Sequence, residues 1–188
     1  MPHYRKLVGE KCYLSPCSPE DAAKWAEWDN DLEVTIPLGD EAYIPYAFEK
    51  CQQIVDEVIR NQSHVFSIID LGTDGLIGRC MLFDIDHVNR KAMLGIVIGE
   101  KDCWGQGYGQ DAIRLLLDYA FNLLDLNSIM LGTFSFNERA IACYIKVGFQ
   151  EIGRRREARI IGDKRFDVIL MDILAQEYQS AYIQNLVP

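Results

Sequence analysis

The spacing of hydrophobic residues changes along the chain, and each spacing predicts a different kind of element. After Gly109 the hydrophobic residues recur at steps of three and four as far as Leu124, which predicts an amphipathic helix. Between residues 65 and 99 they instead form short β-rich runs separated by turns, which predicts an antiparallel meander. The predicted strands of this meander are 65–70, 76–83 and 91–99.

Strands and helices are also predicted on either side of these segments. Residues 4–14 predict a strand, and a helix is expected to begin with Ser18 as its N-cap and Pro19 at its first position, ahead of an irregular loop at 29–45. The remaining predicted elements are a helix at 48–60, a strand at 128–136, a helix at 137–147 and two strands within 149–174. This mixed order of strands and helices predicts an α+β architecture.

Length, charge and cysteine usage narrow the class of protein. The 188 residues suit one hydrophobic core, so a single domain over residues 1–188 is expected. The formal charge of −9 at pH 7 repels phosphate backbones, so nucleic acid is not an expected partner. The six cysteines form no C-x-x-C pair, which indicates reduced thiols and no metal site. The sequence has no secretory signal pattern and no apolar run of roughly 18 residues, which predicts a cytoplasmic protein without membrane contact.

The segment CWGQGYGQ, residues 103–110, carries the clearest chemical signal. Its three glycines lie between a predicted strand and a predicted helix. Each glycine in a regular element costs about 0.5 to 1 kcal/mol relative to alanine, so the cluster indicates a backbone that closely approaches a ligand. Free N–H groups at a helix N-terminus bind anions, and a pyrophosphate fits such a site. The spacing matches neither the P-loop nor the dinucleotide fingerprint, and on these residues alone a flexible glycine turn is the alternative.

Two segments of the sequence resemble the GNAT N-acetyltransferases. The strand, the loop that ends in G-x-G at Gly107 and Gly109, and the long helix are similar to the family's acetyl-CoA pyrophosphate loop. The segment NERAIACYIKVGF, residues 137–149, is similar to the family's helix with Asn-x-x-Ala, Tyr and Gly-Phe. Trp104 stands where the family usually has Gln or Arg, a variant that resembles the ribosomal-protein-alanine and spermidine N-acetyltransferase branch. The resemblance implies the GNAT fold, a mixed, mostly antiparallel sheet of about seven strands with helices on both faces.

The resemblance also implies the reaction and the cofactor. Acetyl-CoA is the expected co-substrate, its acetyl group passes by direct attack to a primary amine, and no metal takes part. The tyrosine that matches Tyr144 protonates the departing CoA thiolate in the family, and a phenol with a pKa of about 10 stays protonated for that role. The residues expected to contact the cofactor are Ile96, Val97, Ile98, Trp104, Gly105, Gln106, Gly107, Tyr108, Gly109, Gln110, Asn137, Ala140 and Tyr144. From the residues alone, Asn137 is also explained as a helix N-cap and Tyr144 as a core aromatic.

A general base is harder to assign, because Met93 stands where relatives often have a glutamate. A methionine cannot accept a proton, so water or another side chain must take that role. The side chains considered are Glu33, Glu41, Asp84, Asp86 and His87. For Asp84 and His87, a solvated turn with side-chain hydrogen bonds is the simpler interpretation.

The acceptor is predicted from the acidic and aromatic residues between positions 25 and 46. Carboxylates and aromatic faces together can hold a cation, which favours a polyamine, a protein N-terminus or another small amine as the acceptor. Glu33, Glu41 and Asp84 are the expected substrate-binding residues. A solvated, charged loop over an aromatic core is the alternative.

Two other functions stay open at this point. A CoA-binding regulatory module without catalysis would explain the missing strand glutamate, and an acyltransferase that uses another acyl-CoA would share the same loop. The basic run Arg154–Arg156 is expected to be surface charge near a sheet edge. Edge strands near the C-terminus are compatible with a homodimer.

Overall fold

The chain forms helices and strands close to those that the sequence predicts. The structure, a computed structural model, describes residues 3–179 and 182–183. Its strands are β1 (Leu7–Val8), β2 (Cys12–Pro16), β3 (Val65–Asp70), β4 (Leu76–Asp86), β5 (Lys91–Ile98), β6 (Ser128–Phe134), β7 (Gln150–Ile161) and β8 (Lys164–Leu174). Its helices are α1 (Asp21–Asp29), α2 (Leu32–Thr35), α3 (Phe48–Arg60), α4 (Tyr108–Asn122) and α5 (Glu138–Val147). Short 3₁₀ turns lie at Asp40–Tyr43, Lys101–Cys103 and Ala175–Glu177.

One mixed sheet contains the eight strands of the described residues, in the order β1-β2-β3-β4-β5-β6-β8-β7. Strands β5 and β6 pair in parallel, whereas β1–β2, β2–β3, β3–β4, β6–β8 and β7–β8 are antiparallel pairs. The predicted α+β sheet is therefore confirmed, with eight strands instead of about seven. The additional strand arises because residues 4–14 form the two strands β1 and the start of β2, joined by a short turn, and not one strand.

Contacts between residues divide the chain into two compact units. The first unit contains the residues up to 81 together with 96–116, and the second contains 82–95 and the residues from 117 onward. A buried cluster forms the core under the helices of the first unit: Ala22, Trp25, Trp28, Val34, Cys51 and Val55. The second unit buries hydrophobic side chains of β6, β8 and α5, among them Ile129, Leu131, Tyr144, Met171 and Ile173. One domain over residues 1–188 stays a prediction.

Helix α1 begins later than the sequence rules predict. The residue before its first turn is Glu20, not Ser18, and the Ser18 hydroxyl donates to the Glu20 carboxylate instead of capping the helix. The Ser18 backbone N–H donates to a carboxylate oxygen of Asp21 at 2.8 Å. The Asp21 N–H in turn donates to the Ser18 carbonyl at 3.0 Å, which closes a turn over residues 18–21, so Pro19 lies in that turn and the helix starts at Asp21.

The region at 29–45, predicted to be an irregular loop, contains helix α2 and one 3₁₀ turn. The Asp31 side chain caps α2, since its Oδ1 accepts the N–H of Glu33 at 2.9 Å. Helix α3 begins and ends at Phe48 and Arg60, the bounds that its pattern predicts. No helix among the described residues has the length and hydrophobicity needed to span a membrane.

A buried ion pair joins α1 to β4 in the first unit. The Arg79 guanidinium donates to both carboxylate oxygens of Asp29, at 3.2 and 2.6 Å, and the two side chains are only 8% and 3% exposed. The guanidinium also lies over the ring of Trp25, 4.4 Å from its centre. Because a buried charge is costly without its partner, this pair fixes the position of α1 on the strand.

Asp29→Asn should lower the free energy of unfolding by about 3 kcal/mol, because it leaves the Arg79 charge buried without a carboxylate. Urea denaturation followed by circular dichroism measures the change. Arg154→Met, which removes an exposed ion pair with Glu151, is the control and should change the free energy of unfolding far less. Equal losses in the two variants would contradict a special role for the buried pair.

Candidate active site

The glycine segment lies between β5 and α4, as predicted from the sequence. Gly105 and Gly107 have φ angles of 73° and 91°, in the left-handed region that glycine adopts without steric cost. Gly109 lies in the first turn of α4, where the first N–H groups of a helix have no carbonyl partner within the helix. The segment can therefore bind an anionic group through its main chain.

Trp104 holds the start of this loop in place. Its indole Nε1 donates to the carbonyl oxygen of Ile98 at 2.7 Å, and the side chain packs against the cluster that contains Trp25 and Trp28. Gly99 lies so close to Trp28 that a Cβ at this position would overlap the indole. The residue that replaces the usual Gln or Arg is thus part of the packing that fixes the end of β5.

The end of β5 also approaches β4 closely. A Cβ on Gly78 would overlap the carbonyl oxygen of Val97, so the strand separation at this point requires a glycine. The Ile77 carbonyl accepts the N–H groups of both Gly99 and Glu100, at 2.9 and 3.2 Å. This shared acceptor makes the end of the ladder irregular where the chain leaves the sheet for the loop.

Strand β5 is longer than its parallel ladder with β6. The ladder ends at the pair of Met93 and Met130, whereas β5 continues to Ile98. The half-buried segment 96–98, predicted to contact the cofactor through its main chain, lies in this continuation. It precedes the glycine loop, with a short 3₁₀ turn at Lys101–Cys103 between them, and its contact with the cofactor stays a prediction.

Tyr108, the first residue of α4, is tied to the turn that follows β3. Its hydroxyl donates to Oδ1 of Asp70 at 2.8 Å, and Asp70 also accepts the hydroxyl of Thr73 at 2.6 Å. The hydrogen bond to Asp70 raises the pKa of Tyr108 to about 12. The Thr73 hydroxyl, with a smaller contribution from Tyr108, holds the pKa of Asp70 below its usual range. Tyr108 therefore stays protonated, and its ring has a fixed orientation.

Gln106 and Gln110 are the other two polar residues of the segment that is predicted to contact the cofactor. The Gln106 side-chain amide donates to the carbonyl oxygen of Asp102, which closes the loop on itself. Gln110 lies half-buried in the first turn of α4. Positions 104–110 thus keep the order strand, loop and helix on which their predicted role depends, and that role stays a prediction.

In the second unit, Asn137 begins helix α5 as its N-cap. Its Oδ1 accepts the N–H of Ala140 at 3.3 Å, which confirms the capping interpretation. Because the cap uses the amide oxygen, the Nδ2 group is the part of this side chain that can donate to a ligand.

Tyr144 follows Asn137 and Ala140 on the same face of α5 and is 9% exposed. Its ring packs edge-on against Phe149, with ring centres 6.0 Å apart. Burial raises the pKa of Tyr144 above its ordinary value, and the neighbouring Cys143 adds to the shift. The hydroxyl is therefore protonated at neutral pH, as a proton donor must be, although it is a weaker acid than an exposed tyrosine.

A polar pocket of about 180 Å³ lies where β5 leads into the loop. At this pocket the Lys101 ammonium lies between Asp31 and Glu33, 2.7 Å from a carboxylate oxygen of each. Its hydrogen bond holds the pKa of Asp31 below the usual range. The lining residues are Glu27, Trp28, Asp31, Gly99, Glu100, Lys101 and Asp102. Sequence patterns identify Glu33 but miss Lys101, whose partners stand far away along the chain.

The other two predicted substrate-binding residues belong to different parts of the chain. Glu41 lies half-buried in a 3₁₀ turn of the first unit. Asp84 lies in the second unit, exposed on β4 with a φ of 51°. Among the candidates for a general base, Asp86 accepts the backbone N–H groups of Val88 and Asn89 at 3.0 and 2.9 Å. This carboxylate thus stabilises its own turn.

The basic run at 154–156 is exposed on β7, the last strand in the sheet order. Arg154 Nε pairs with Oε1 of Glu151 at 2.6 Å. The prediction of surface charge at a sheet edge is confirmed for this segment. Charged side chains on an edge strand discourage pairing with other strands.

Comparison with known proteins identifies relatives of this chain. The acetyltransferase (GNAT) domain model matches residues 11–150. The uncharacterized N-acetyltransferase p20 of Bacillus licheniformis is 30% identical over 174 residues, which cover 92% of this chain and 97% of that protein. Spermidine N(1)-acetyltransferase of Escherichia coli strain K12 is 29% identical over 165 residues, covering 88% of this chain and 87% of the relative. The crystal structure of spermidine N-acetyltransferase from Vibrio cholerae in complex with CoA and spermine has a TM-score of 0.78 and 26% identity, covering 89% of this chain and 97% of that one.

Gly107→Ala should weaken the binding of CoA roughly tenfold, because a φ of 91° strains any residue with a Cβ and the added atom would lie 3.3 Å from the Lys11 side chain. Isothermal titration calorimetry measures the affinity. Gly153→Ala is the matched control, since its Cβ would enter open space on β7. Unchanged affinity in the Gly107 variant would contradict a role of the loop backbone in binding.

Proposed function

Since the chain belongs to the GNAT acetyltransferase family, it is an acetyltransferase, and we propose that it moves the acetyl group of acetyl-CoA to a primary amine of a polyamine. The family match supports the donor, because the family uses acetyl-CoA and a related structure contains CoA. The spermidine N-acetyltransferases among its relatives support the acceptor. The observation that carries the choice of acceptor is the Lys101 ammonium held between Asp31 and Glu33.

The Lys101 side chain resembles one arm of a polyamine. It ends in a primary ammonium on a flexible alkyl chain. Asp31, which lines the pocket, and the exposed Glu33 beside it each accept this ammonium at 2.7 Å. The other carboxylates that line the pocket are Glu27, Glu100 and Asp102, and the first two pair with Lys24 at 3.0 and 2.8 Å. A polyamine ammonium that enters the pocket therefore replaces a lysine ammonium as their partner. The formal charge of −9 also attracts a polycation and repels an anionic acceptor.

The residues proposed to bind the donor are the glycine loop and the end of β5 in the first unit, and Asn137 and Ala140 in the second. The loop N–H groups suit the diphosphate of acetyl-CoA, because they offer positive partial charge without a bulky side chain. The main chain of 96–98 and the Nδ2 group of Asn137 are assigned to the pantetheine arm and the thioester. Ala140, a small residue on the same face as Asn137, leaves room for that arm.

The proposed chemistry is a direct attack. The neutral amine adds to the thioester carbonyl carbon and forms the C–N bond, after which the C–S bond breaks. The CoA thiolate takes the proton of the Tyr144 hydroxyl, and water returns a proton to Tyr144. The surplus proton of the amine passes to water, since Met93 on β5 has no group that accepts it.

In a thiol-release assay with acetyl-CoA, spermidine and spermine should be the preferred acceptors, with basic N-terminal peptides, aminoglycosides and free amino acids as competitors on the panel. The polycations are preferred because the pocket holds several carboxylates. Succinyl-CoA in place of acetyl-CoA tests the acyl donor. Release with peptides but not with polyamines would overturn the proposed acceptor, and faster release from succinyl-CoA would overturn the proposed donor.

The variant Glu33→Gln, measured in the same assay, tests whether the acceptor amine binds beside this carboxylate. Loss of this carboxylate should raise KM for spermidine about fivefold with kcat unchanged, as expected for an exposed charge pair. Glu57→Gln removes the same charge from the exposed face of α3 and serves as the control. The pocket assignment fails if the two variants give the same KM.

Tyr144→Phe should lower kcat about a hundredfold while KM for acetyl-CoA changes little, because it removes a proton donor but keeps the ring that packs on Phe149. The raised pKa keeps Tyr144 protonated up to and beyond about pH 10. The decrease in kcat should therefore be the same at every pH in the neutral range. Tyr4→Phe, at an exposed position, is the control. An unchanged kcat would mean that water protonates the thiolate.

Several narrower expectations accompany this proposal and stay predictions. They are a cytoplasmic location, a homodimer, one domain over residues 1–188, and a reaction without metal, nucleic acid or membrane partners.

A further inference from the structure

Lys11, in the turn between β1 and β2, brings a positive charge to the glycine loop. Its side chain is exposed. A Cβ on Gly107 would lie 3.3 Å from Cε and 3.6 Å from Cδ of Lys11, so the lysine stem runs beside this glycine. The ammonium lies 5.7 Å from the centre of the Tyr108 ring. The cation is therefore located where the loop passes into α4.

The backbone of Lys11 is held by the same helix. Asp111, in the first turn of α4, is 4% exposed, and its carboxylate accepts the N–H groups of Glu10, Lys11 and Cys12 at 3.2, 2.8 and 3.0 Å. The Lys11 carbonyl in turn accepts the N–H of Leu71 at 3.0 Å. The turn that carries Lys11 is thus fixed relative to the loop by a buried carboxylate.

An anionic ligand at the glycine loop needs a positively charged side chain nearby. The loop segment 103–110 contains neither lysine nor arginine in a protein of formal charge −9. Lys101, which stands between Glu100 and Asp102 before the loop, is already paired with Asp31 and Glu33. A phosphate group that approaches the loop is therefore repelled over a long distance unless a local cation offsets the field. Within the described part of the chain, the Lys11 ammonium forms no ion pair with a carboxylate, so it can be offered to a ligand.

We propose that Lys11 binds the diphosphate of CoA and that Asp111 is the positioning residue that presents it. The assignment rests on the proposed use of acetyl-CoA. It names the diphosphate and not the 3′-phosphate, because the lysine stem contacts Gly107 within the loop assigned to the diphosphate. Lysine serves here as a point charge on a flexible stem, a common way for proteins to bind phosphate.

Calorimetry with CoA, dephospho-CoA and pantetheine tests the assignment on the full chain. Lys11→Met should weaken binding of CoA and of dephospho-CoA by the same factor, roughly tenfold, and leave the affinity for pantetheine unchanged. The affinity of the variant should also depend less on ionic strength than that of the wild type. In turnover, KM for acetyl-CoA should rise by a similar factor with kcat unchanged.

Lys50→Met is the control, because it removes one exposed lysine of the first unit from α3 and changes the net charge equally. The proposal is overturned if both variants weaken CoA binding alike, or if Lys11→Met leaves CoA binding intact. Weaker binding of CoA but not of dephospho-CoA would assign Lys11 to the 3′-phosphate and would also overturn it. A wild-type protein that binds none of the three ligands would instead overturn the proposed donor, and this assignment with it.

Asp111→Asn tests the positioning role. An amide keeps one acceptor oxygen but loses the charge, so the variant should weaken CoA binding by a smaller factor than Lys11→Met. In the double variant the two effects should not multiply, because a misplaced Lys11 and a missing Lys11 cost the same contact. Urea denaturation confirms that each variant is folded under the conditions of the titration. Multiplying effects would mean that Asp111 acts independently of Lys11 and would remove the positioning role.

Discussion

The hydrogen bond from the Trp104 indole to the Ile98 carbonyl fixes the point where β5 becomes the glycine loop. Glycine has access to more backbone conformations than other residues, so a loop with Gly105 and Gly107 needs support at its start. Trp28, packed on Gly99, gives a second contact at the same point. Main-chain N–H groups bind an anion well only when they are held in advance, because ordering them on binding lowers the affinity. The aromatic core of the first unit thereby contributes to the chemistry of the loop.

Hydrophobic spacing predicts the elements well where a segment buries one face, and α3 matches its prediction at both ends. Helix α1 illustrates where such rules fail. Ser18 and Pro19 satisfy the usual pattern for a helix start, but the Asp21 N–H bonds the Ser18 carbonyl and closes a turn, and the helix begins after it. Capping rules do not rank these alternatives, because the same polar side chains satisfy the backbone in either arrangement.

The glycine loop and the α5 segment are predictable because each keeps its functional groups within one short stretch of sequence. Lys101 and Lys11 belong to no motif, and each acquires its role from a distant partner: Asp31 for the first and Asp111 for the second. Such contacts depend on how the helices, turns and strands pack together, which local patterns do not encode. The net charge does not reveal these two lysines either, because the chain has an excess of carboxylates.

Gly9 and Asp111 are fitted to each other across the turn between β1 and β2. The Asp111 carboxylate occupies the space that a Cβ at residue 9 would fill, and it bonds the N–H groups of residues 10–12. A larger side chain at position 9 would displace the carboxylate and leave those amides without an acceptor. Among homologous sequences the two positions should therefore covary or remain invariant together, which would mark the start of α4 as coupled to the first hairpin through evolution.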